Sequence, residues 1–349
     1  MSENSTQETK KGCFRGGCFM IGCGCSAVIA VLILILVLAV IFADKTSDPD
    51  QPSKEYTEEY ISGKSSDGKK IAVIDITGII MNQRSSYGSS ITDSEDICKQ
   101  IKKAEKDKEI CALIINLNTP GGEVNAADDI HNAITNFRKK TGKPVIALMN
   151  SIATSGGYYV AVACSRIISG RLTMTGSIGV IINTYNYKGL FDKIGLVSEV
   201  YKSGEMKDML NGARQRTPQE IALVQELVDE CYSEFVKLVS AGRRIPESKI
   251  RNSAIGDGRI IHGKKALELG LVDEIGRMKE AVAAAEKLSG NPPSSLKTIR
   301  YKRNFSFMDI LFGAMVPGIS RVQIRVPSVM PENELPRGRL YFLPEHLIQ

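Results

Sequence analysis

PVIALMNSIATSGGYYVAVA, residues 144–163, decides how this chain folds. PVIALMN (Pro144–Asn150) has the length and composition of a buried strand. ATSGGYY (Ala153–Tyr159) then offers small residues and two glycines, which let a strand turn sharply into a helix. The same succession occurs one step upstream. EICALIINLN (Glu109–Asn118) reads as a strand, Pro120 bends the chain, Gly121-Gly122 turn it, and VNAADDIHNAITNFRKK carries apolar residues at helical spacing. Before it, IAVIDITGII (71–80) reads as another buried strand. The helix of TDSEDICKQIKKAEKD follows, with Thr92 and Glu95 in a capping-box pattern. Strands alternating with helices predict an α/β fold whose sheet is largely parallel, with right-handed crossovers.

Downstream the alternation continues. RIIS (166–169) is a strand, TMTGSIG a loop, and KGLFDKIG (188–195) helical. A long amphipathic helix opens at Thr217-Pro218 and runs to about Ala241. GDGRIIHGKKALELGLVDEIG (256–276) predicts a glycine turn, a short strand and a helix stopped by Gly270. MKEAVAAAEKLSG closes the patterned part. This places the folded domain at 71–290, without internal duplication, preceded by a polar linker over 44–70. In the extension 291–349, the apolar FSFMDILFGAMVPG (305–318) suits packing on a neighbour or a membrane surface. SRVQIRV alternates like an edge strand, and Pro327, Pro331 and Pro336 then break regular structure.

With 349 residues, 43% of them hydrophobic and 24% charged, the composition is that of a globular protein. Its formal charge of +6 is spread among acids without basic–aromatic clusters, which argues against a nucleic-acid partner. Cys18–Ala43 contains no charged residue. As a helix it would measure about 39 Å, enough to cross a hydrocarbon core of about 30 Å. A cleavable leader normally has a shorter apolar stretch, and Ile41-Phe42-Ala43 is a poor cleavage site, so the expectation is a retained anchor over 18–43. Lys10, Lys11 and Arg15 precede it and Asp44, Asp48 and Asp50 follow, which predicts a cytoplasmic segment 1–17 and a domain on the far side. Cys13, Cys18, Cys23 and Cys25 lack zinc-ligand spacing and read as small residues at the start of that helix, lipidation being the functional alternative.

The two strand-to-helix turns are where chemistry can sit. Backbone N–H groups of the P-G-G turn at a helix N-terminus can hold a developing oxyanion, or the turn can bind nothing. Ser155 in A-T-S-G-G has the pattern of a nucleophile elbow with Ala153 in place of the first glycine, or is an ordinary helix cap. A nucleophile needs a base. His131 lies within a helix, His262 in a glycine-rich turn and His346 near the end of the chain, so a Ser–His–Asp triad has little support. A lysine can replace it when neutral, which requires lowering the usual value of about 10.4 to roughly 7–8 by apolar burial. VYKSGEMKDML (200–210) offers Lys202 and Lys207.

NTPGGEV, SIATSGGYYVAVA, TMTGSIGVI, YKSGEMKDM and GRIIHGKKALELGLVDEIG stand in the order and spacing of SppA-type signal peptide peptidases, and the chain resembles the short, unduplicated form of that serine protease family over 71–290. The resemblance implies a Clp-protease/crotonase-like fold of stacked ββα units behind one N-terminal transmembrane helix. It also implies a Ser–Lys dyad of Ser155 as nucleophile and Lys207, not Lys202, as general base. Ser177 would orient the lysine, and Gly121 and Gly122 would form the oxyanion hole. Thr119 stands where the family often has serine, and Thr154 where a second alanine is common. No metal or cofactor is expected. The implied substrates are remnant signal peptides and other apolar segments at the bacterial cytoplasmic membrane. The implied assembly is a ring homo-oligomer whose sites are shared between protomers. A crotonase-like acyl-CoA enzyme and a non-catalytic anchored scaffold are the rival functions on the same fold.

Overall fold

The computed structural model describes residues 56–82, 91–303 and 341–342. The expected anchor (18–43), the apolar stretch 305–318 and His346 lie outside the described residues. Among the described residues no helix is long and apolar enough to cross a membrane.

The elements follow in order: β1 (Tyr56–Ser62), β2 (Lys70–Thr77), β3 (Ile79–Met81), β4 (Ile91–Asp93), α1 (Ser94–Lys106), β5 (Ile110–Thr119), β6 (Gly122–Glu123), α2 (Val124–Thr141) and β7 (Val145–Thr154). Next come α3 (Gly156–Ala161), β8 (Arg166–Ser169), β9 (Met174–Gly176), α4 (Lys188–Ile194), a 3-10 turn (Glu205–Asp208), α5 (Pro218–Arg243) and α6 (Glu247–Arg251). The last are β10 (Ile260–His262), α7 (Gly263–Glu268), β11 (Glu274–Ile275), α8 (Met278–Leu288), β12 (Lys297–Arg303) and β13 (Tyr341–Phe342).

The main sheet runs β1-β12-β2-β5-β7-β8-β11, with β9 also beside β7 and β10 beside β9. Neighbours β12, β2, β5, β7, β8 and β11 are parallel, as the alternating pattern predicts. A second sheet runs β13-β6-β3-β4. Gly78, at φ 82°, separates β2 from β3, so the apolar run 71–80 serves two sheets rather than one. A long strand of the main sheet, a short strand of the second and a helix thus recur as β5–β6–α2, and as β2–β3–α1 with β4 inserted. The repeat carries each main strand's end to the same region.

Alternation along the strands gives the sheet two apolar faces. Ile74, Ile76, Leu113, Ile115, Val145 and Ala147 join α1, α2, α3 and α5 in the larger core; Ile71, Val73, Ile114, Ile146 and Leu148 meet Ala281 and Ala285 of α8 on the other face. Full burial of such side chains contributes about 1.5–3 kcal/mol each.

Three expectations change. The segment 44–70 is not all linker: β1 pairs antiparallel with β12, which pairs with β2, so the folded domain reaches back to Tyr56 and beyond 290 to Arg303. Helix α1 is capped by Asp93, whose carboxylate accepts from Glu95 N at 3.0 Å, and not by Thr92. Thr92 is drawn into β4, where its hydroxyl donates to Thr77 O at 2.6 Å and accepts from Thr77 N at 3.0 Å. TMTGSIG, read as a loop, supplies β9, which pairs with β7 through Thr154↔Gly176.

Candidate active site

Ser155 ends β7 and opens α3 with φ 53° and ψ −114°. A non-glycine residue held there stores about 1–3 kcal/mol of strain, which persists only when its surroundings enforce it. They do. Ser155 N donates to Gly176 O at 2.8 Å, Ser155 O accepts from Tyr159 N at 2.9 Å, and the residue is 1% exposed. Gly157 has a steric reason. A Cβ on Gly157 would sit 2.8 Å from Thr119 Cγ2 and 3.3 Å from Thr119 O. Only a bare backbone lets α3 approach the end of β5 that closely. The serine is therefore a strained elbow residue and not a side-chain cap: its hydroxyl makes no capping bond to α3.

The P-G-G turn lies against this elbow. Thr154, fully buried, donates its hydroxyl to Pro120 O at 2.9 Å, while Thr119 Oγ1 accepts from Gly121 N at 3.0 Å. Ile80 N donates to Gly121 O at 2.9 Å, and a Cβ on Gly122 would fall 1.9 Å from Ile80 O. Two threonines that depart from the expected pattern thus brace the loop. The Gly121 amide is occupied by Thr119 Oγ1, and Gly122 is paired in the second sheet with Ile80 and Phe342. Sequence reading missed a further donor. Gly156 N–H, next to Ser155, belongs to a first helical turn without intrahelical acceptors, and in nucleophile elbows the residue after the serine supplies such an amide.

Ser177 also has a left-handed backbone (φ 52°) and is 6% exposed; its N–H donates to Arg259 O at 2.8 Å. The register Thr154↔Gly176 puts Ser155 and Ser177 each one residue past a paired position. Beside Ser177 opens a cleft of about 430 Å³ whose walls include Ile178, Val180, Val228 and Tyr232.

Lys207 lies elsewhere, exposed on the 3-10 turn. Among the described residues, neither Ser155 Oγ nor Lys207 Nζ has a hydrogen-bond partner. Lys202 is committed: its ammonium donates to Asp208 Oδ1 at 2.6 Å and to Glu205 O at 2.8 Å. The segment leading to Lys207 is exposed and apolar, with Leu190, Ile194, Leu196, Val197 and Val200 all open and Tyr201 92% exposed.

Neither described histidine is hydrogen-bonded to Ser155. His131 is buried edge-on to Tyr159, with ring centroids 5.4 Å apart, and burial holds its imidazole below the usual value. His262 lies 3.3 Å from Leu172 O and is exposed. Tyr159 ties α3 to α2 through a 2.7 Å bond to Asp128, and its phenol is pushed upward by burial and then by that carboxylate. Among the described residues no three His, Cys, Asp or Glu side chains gather as a metal site.

β13, from the chain's own tail, runs antiparallel along β6, with Phe342 opposite Gly122 and Tyr341 opposite Glu123. The edge of β6 beside the P-G-G turn therefore accepts an extended backbone.

Residues 137–291 match the sequence profile of peptidase family S49, and residues 74–199 that of the ClpP-like SDH-type serine proteinases. A candidate protease of Synechocystis sp. is 36% identical over 234 residues, covering 67% of this chain and 79% of that protein. A candidate signal peptide peptidase SppA of Enterococcus faecium is 34% identical over 237 residues, covering 67% of this chain and 68% of that protein. Protease 4 of Haemophilus influenzae is 32% identical over 219 residues, covering 63% of this chain and 35% of that longer protein. A solved ClpP1 mutant from Listeria monocytogenes gives a TM-score of 0.40 at 16% identity, covering 60% of this chain and 94% of that one. The chain belongs to peptidase family S49 and is a serine endopeptidase.

Proposed function

We propose that this S49 peptidase cleaves extended peptides, including remnant signal peptides, with Ser155 as nucleophile and Lys207 as general base. The observation that carries the proposal is the enforced left-handed backbone of buried Ser155 beside a braced P-G-G turn. An unprotonated Lys207 amine takes the hydroxyl proton as Ser155 Oγ attacks the peptide carbonyl. The amides of Gly122 and Gly156 receive the oxyanion, and the lysine returns the proton to the leaving amine. A water then gives its proton to the lysine as it attacks the acyl carbonyl, and the lysine passes that proton to Ser155 Oγ as the acyl–oxygen bond breaks, releasing the acid and the free enzyme. Ser177, beside the elbow, is the hydroxyl that would orient the lysine. Substrate backbone would add to the β6 edge, where β13 lies, in the manner of strand addition.

The base comes from a second copy of the chain in this proposal. Ser155 is buried and Lys207 exposed, no bond joins them among the described residues, and the open apolar segment 190–201 offers a surface for a neighbour. The anchor expected at 18–43 would hold the enzyme at the bacterial cytoplasmic membrane with its domain outside. Protease added to intact spheroplasts should digest that domain and spare residues before Cys18; digestion only after lysis would reverse the topology.

The chemical test is labelling with a fluorophosphonate followed by mapping of the modified residue. Label on Ser155, together with loss of peptide hydrolysis in Ser155→Ala and in Lys207→Ala, is the expected result. Full activity in either variant removes that residue from the mechanism.

A further inference from the structure

If Lys207 is the base, something must hold a four-residue turn that is mostly exposed and has no buried residue of its own. The turn's internal bonds are few: Lys207 N to Gly204 O at 3.1 Å and Met209 N to Met206 O at 3.1 Å. Side chains hold it from both sides: Lys202 upstream, on Asp208 at 2.6 Å and Glu205 O at 2.8 Å, and Arg214 downstream. Arg214 grips Asp208, the residue next to Lys207, with Nε to Oδ2 at 2.7 Å and Nη2 to Oδ1 at 2.8 Å. The same guanidinium reaches Glu220 on α5, with Nη1 to Oε2 at 2.9 Å and Nη2 on Oε1. Glu220 is 2% exposed and fixed in its turn, accepting from Thr217 N at 2.7 Å in the capping box that opens α5. One planar group thus ties the lysine-bearing turn to the N-terminus of the longest helix.

The base of the projecting segment is clamped at the same place. Tyr187 N donates to Gly212 O at 2.8 Å, and a Cβ on Gly212 would meet Tyr185 O at 2.2 Å. Asn186 Nδ2 donates to Arg214 O at 3.3 Å. Arg214 therefore stands where the outgoing and returning strands of the segment meet.

We propose that Arg214 is a positioning residue for the catalytic base: it aims Lys207 through Asp208, and it cancels carboxylate charge that would otherwise keep the lysine protonated. The proposal rests on Lys207 being the base. The charged groups around the turn are Lys202, Glu205 and Asp208 on the segment itself, Arg214 and Arg216 on the return, and Glu220 on α5. Asp208 and Glu220 are balanced by Lys202 and Arg214. Without Arg214 the network carries one excess negative charge beside Lys207, which favours the ammonium. The pairing is firm, since Arg214 and then Lys202 hold the Asp208 carboxyl below the usual carboxylate range. A lysine at 214 would retain the charge but not the fork that spans two carboxylates.

The test measures peptide hydrolysis against pH with the full-length assembled enzyme. Arg214→Gln should lower kcat by roughly 10–100-fold through misplacement of the base, leave KM within about threefold, and move the acid limb of the profile up by about half a pH unit. Arg214→Lys should lose kcat while the limb stays in place. The double variant Asp208→Asn/Arg214→Gln should bring the limb back, which a merely structural role for Arg214 would not do. Wild-type kcat in Arg214→Gln, or a limb that stays shifted in the double variant, overturns the proposal. Should Arg214→Gln fail to assemble, full kcat in Arg214→Lys would overturn it equally. Lys207→Ala run alongside separates the two levels. Activity in Lys207→Ala refutes the base assignment, whereas a dead Lys207→Ala beside a wild-type Arg214→Gln refutes only the role of Arg214.

Discussion

Thr154→Val isolates the brace on the oxyanion turn. Threonine and valine have nearly the same shape, and Thr154 is fully buried, so the change removes one hydroxyl and leaves packing intact. That hydroxyl donates to Pro120 O at 2.9 Å, and its loss strands a partly buried carbonyl. Leaving such a group unpaired costs about 1–3 kcal/mol, and the partial burial places this site near the lower end, about 1–2. For a domain of this size the melting temperature should fall by roughly 3–6 °C. The catalytic effect should exceed what stability alone produces, because Pro120 leads directly into Gly121-Gly122. Removing an oxyanion donor outright costs about 10²–10³-fold in kcat, so loosening the loop that carries one should cost about tenfold. Thr154→Ser, which keeps the donor, should retain most activity. The assay is steady-state hydrolysis of a fluorogenic peptide beside differential scanning calorimetry. A Thr154→Val enzyme with wild-type kcat would refute the idea that this bond positions the turn, and an unchanged melting temperature would show that Pro120 O finds another donor.

Co-expressed Ser155→Ala and Lys207→Ala chains, each inactive alone, should recover about a quarter of wild-type activity, because random mixing in a head-to-tail ring leaves one intact junction in four. Mixed assemblies that form but stay inactive would place the dyad within one chain. A chain beginning at Lys64 should be destabilised by at least ~2 kcal/mol relative to one beginning at Lys54. The shorter chain lacks Tyr56, 4% exposed and bonded to Asp96 at 2.6 Å, together with the Glu58 partner of Lys70 at 2.7 Å. Equal urea midpoints for the two would return that segment to linker. Cys98 and Cys164 should resist iodoacetamide at pH 8 until the protein is unfolded. Burial pushes their thiols up to about 11 and about 12, leaving roughly one thiolate in a thousand or fewer. Rapid native-state alkylation of either, detected by mass spectrometry, would contradict that burial.

What the sequence disclosed and what it hid divide along a physical line. Strands β2, β5 and β7 were legible because both faces of the sheet are covered, so each reads as a continuous apolar run. The turns at Pro120–Gly122 and Ser155–Gly157 were legible because glycine stands where backbone or side-chain atoms crowd its Cα, and the stop at Gly270, φ 76°, after α7 was legible as well. β1 was hidden. Only Tyr56 is buried in YTEEYIS, and the strand exists through pairing with β12, more than 200 residues away in sequence. Thr92 and Asp93 are equally good caps as residue types, and the choice between them is made by the β4–β3 ladder. Most of the candidate site was legible as separate residues. Ser155, Lys207, Ser177, Gly121 and Gly122 all fall in recognisable motifs, but the bracing by Thr154, the occupied amide of Gly121 and the Arg214 fork depend on contacts between segments.

The two halves of the proposed dyad differ in how they are built, and the difference has a consequence. Ser155 sits inside the core, its strained backbone fixed by Gly176, Tyr159 and the close approach of Thr119 to Gly157. That half needs no partner to form, because the folding energy of the whole domain is available to hold it. Lys207 sits on a segment where α4 has no buried residue and Tyr201 and Val197 are 92% and 79% exposed. Those side chains are open among the described residues, and the Asp208–Arg214–Glu220 fork, the Lys202–Asp208 pair and the Tyr187–Gly212 backbone bond tie the ends of the segment to the fold. On the proposed mechanism, a serine prepared in the core and a base carried on an open apolar segment would make activity follow assembly: the chain could fold completely while Ser155 still lacked a base. In the proposed mechanism a lone newly made copy would hold a finished oxyanion turn and an inert hydroxyl. The energy that brings Lys207 to Ser155 would then be interface energy, drawn from covering Leu190, Ile194, Val197 and Tyr201, and the fork at Arg214 would transmit that docking to the amine.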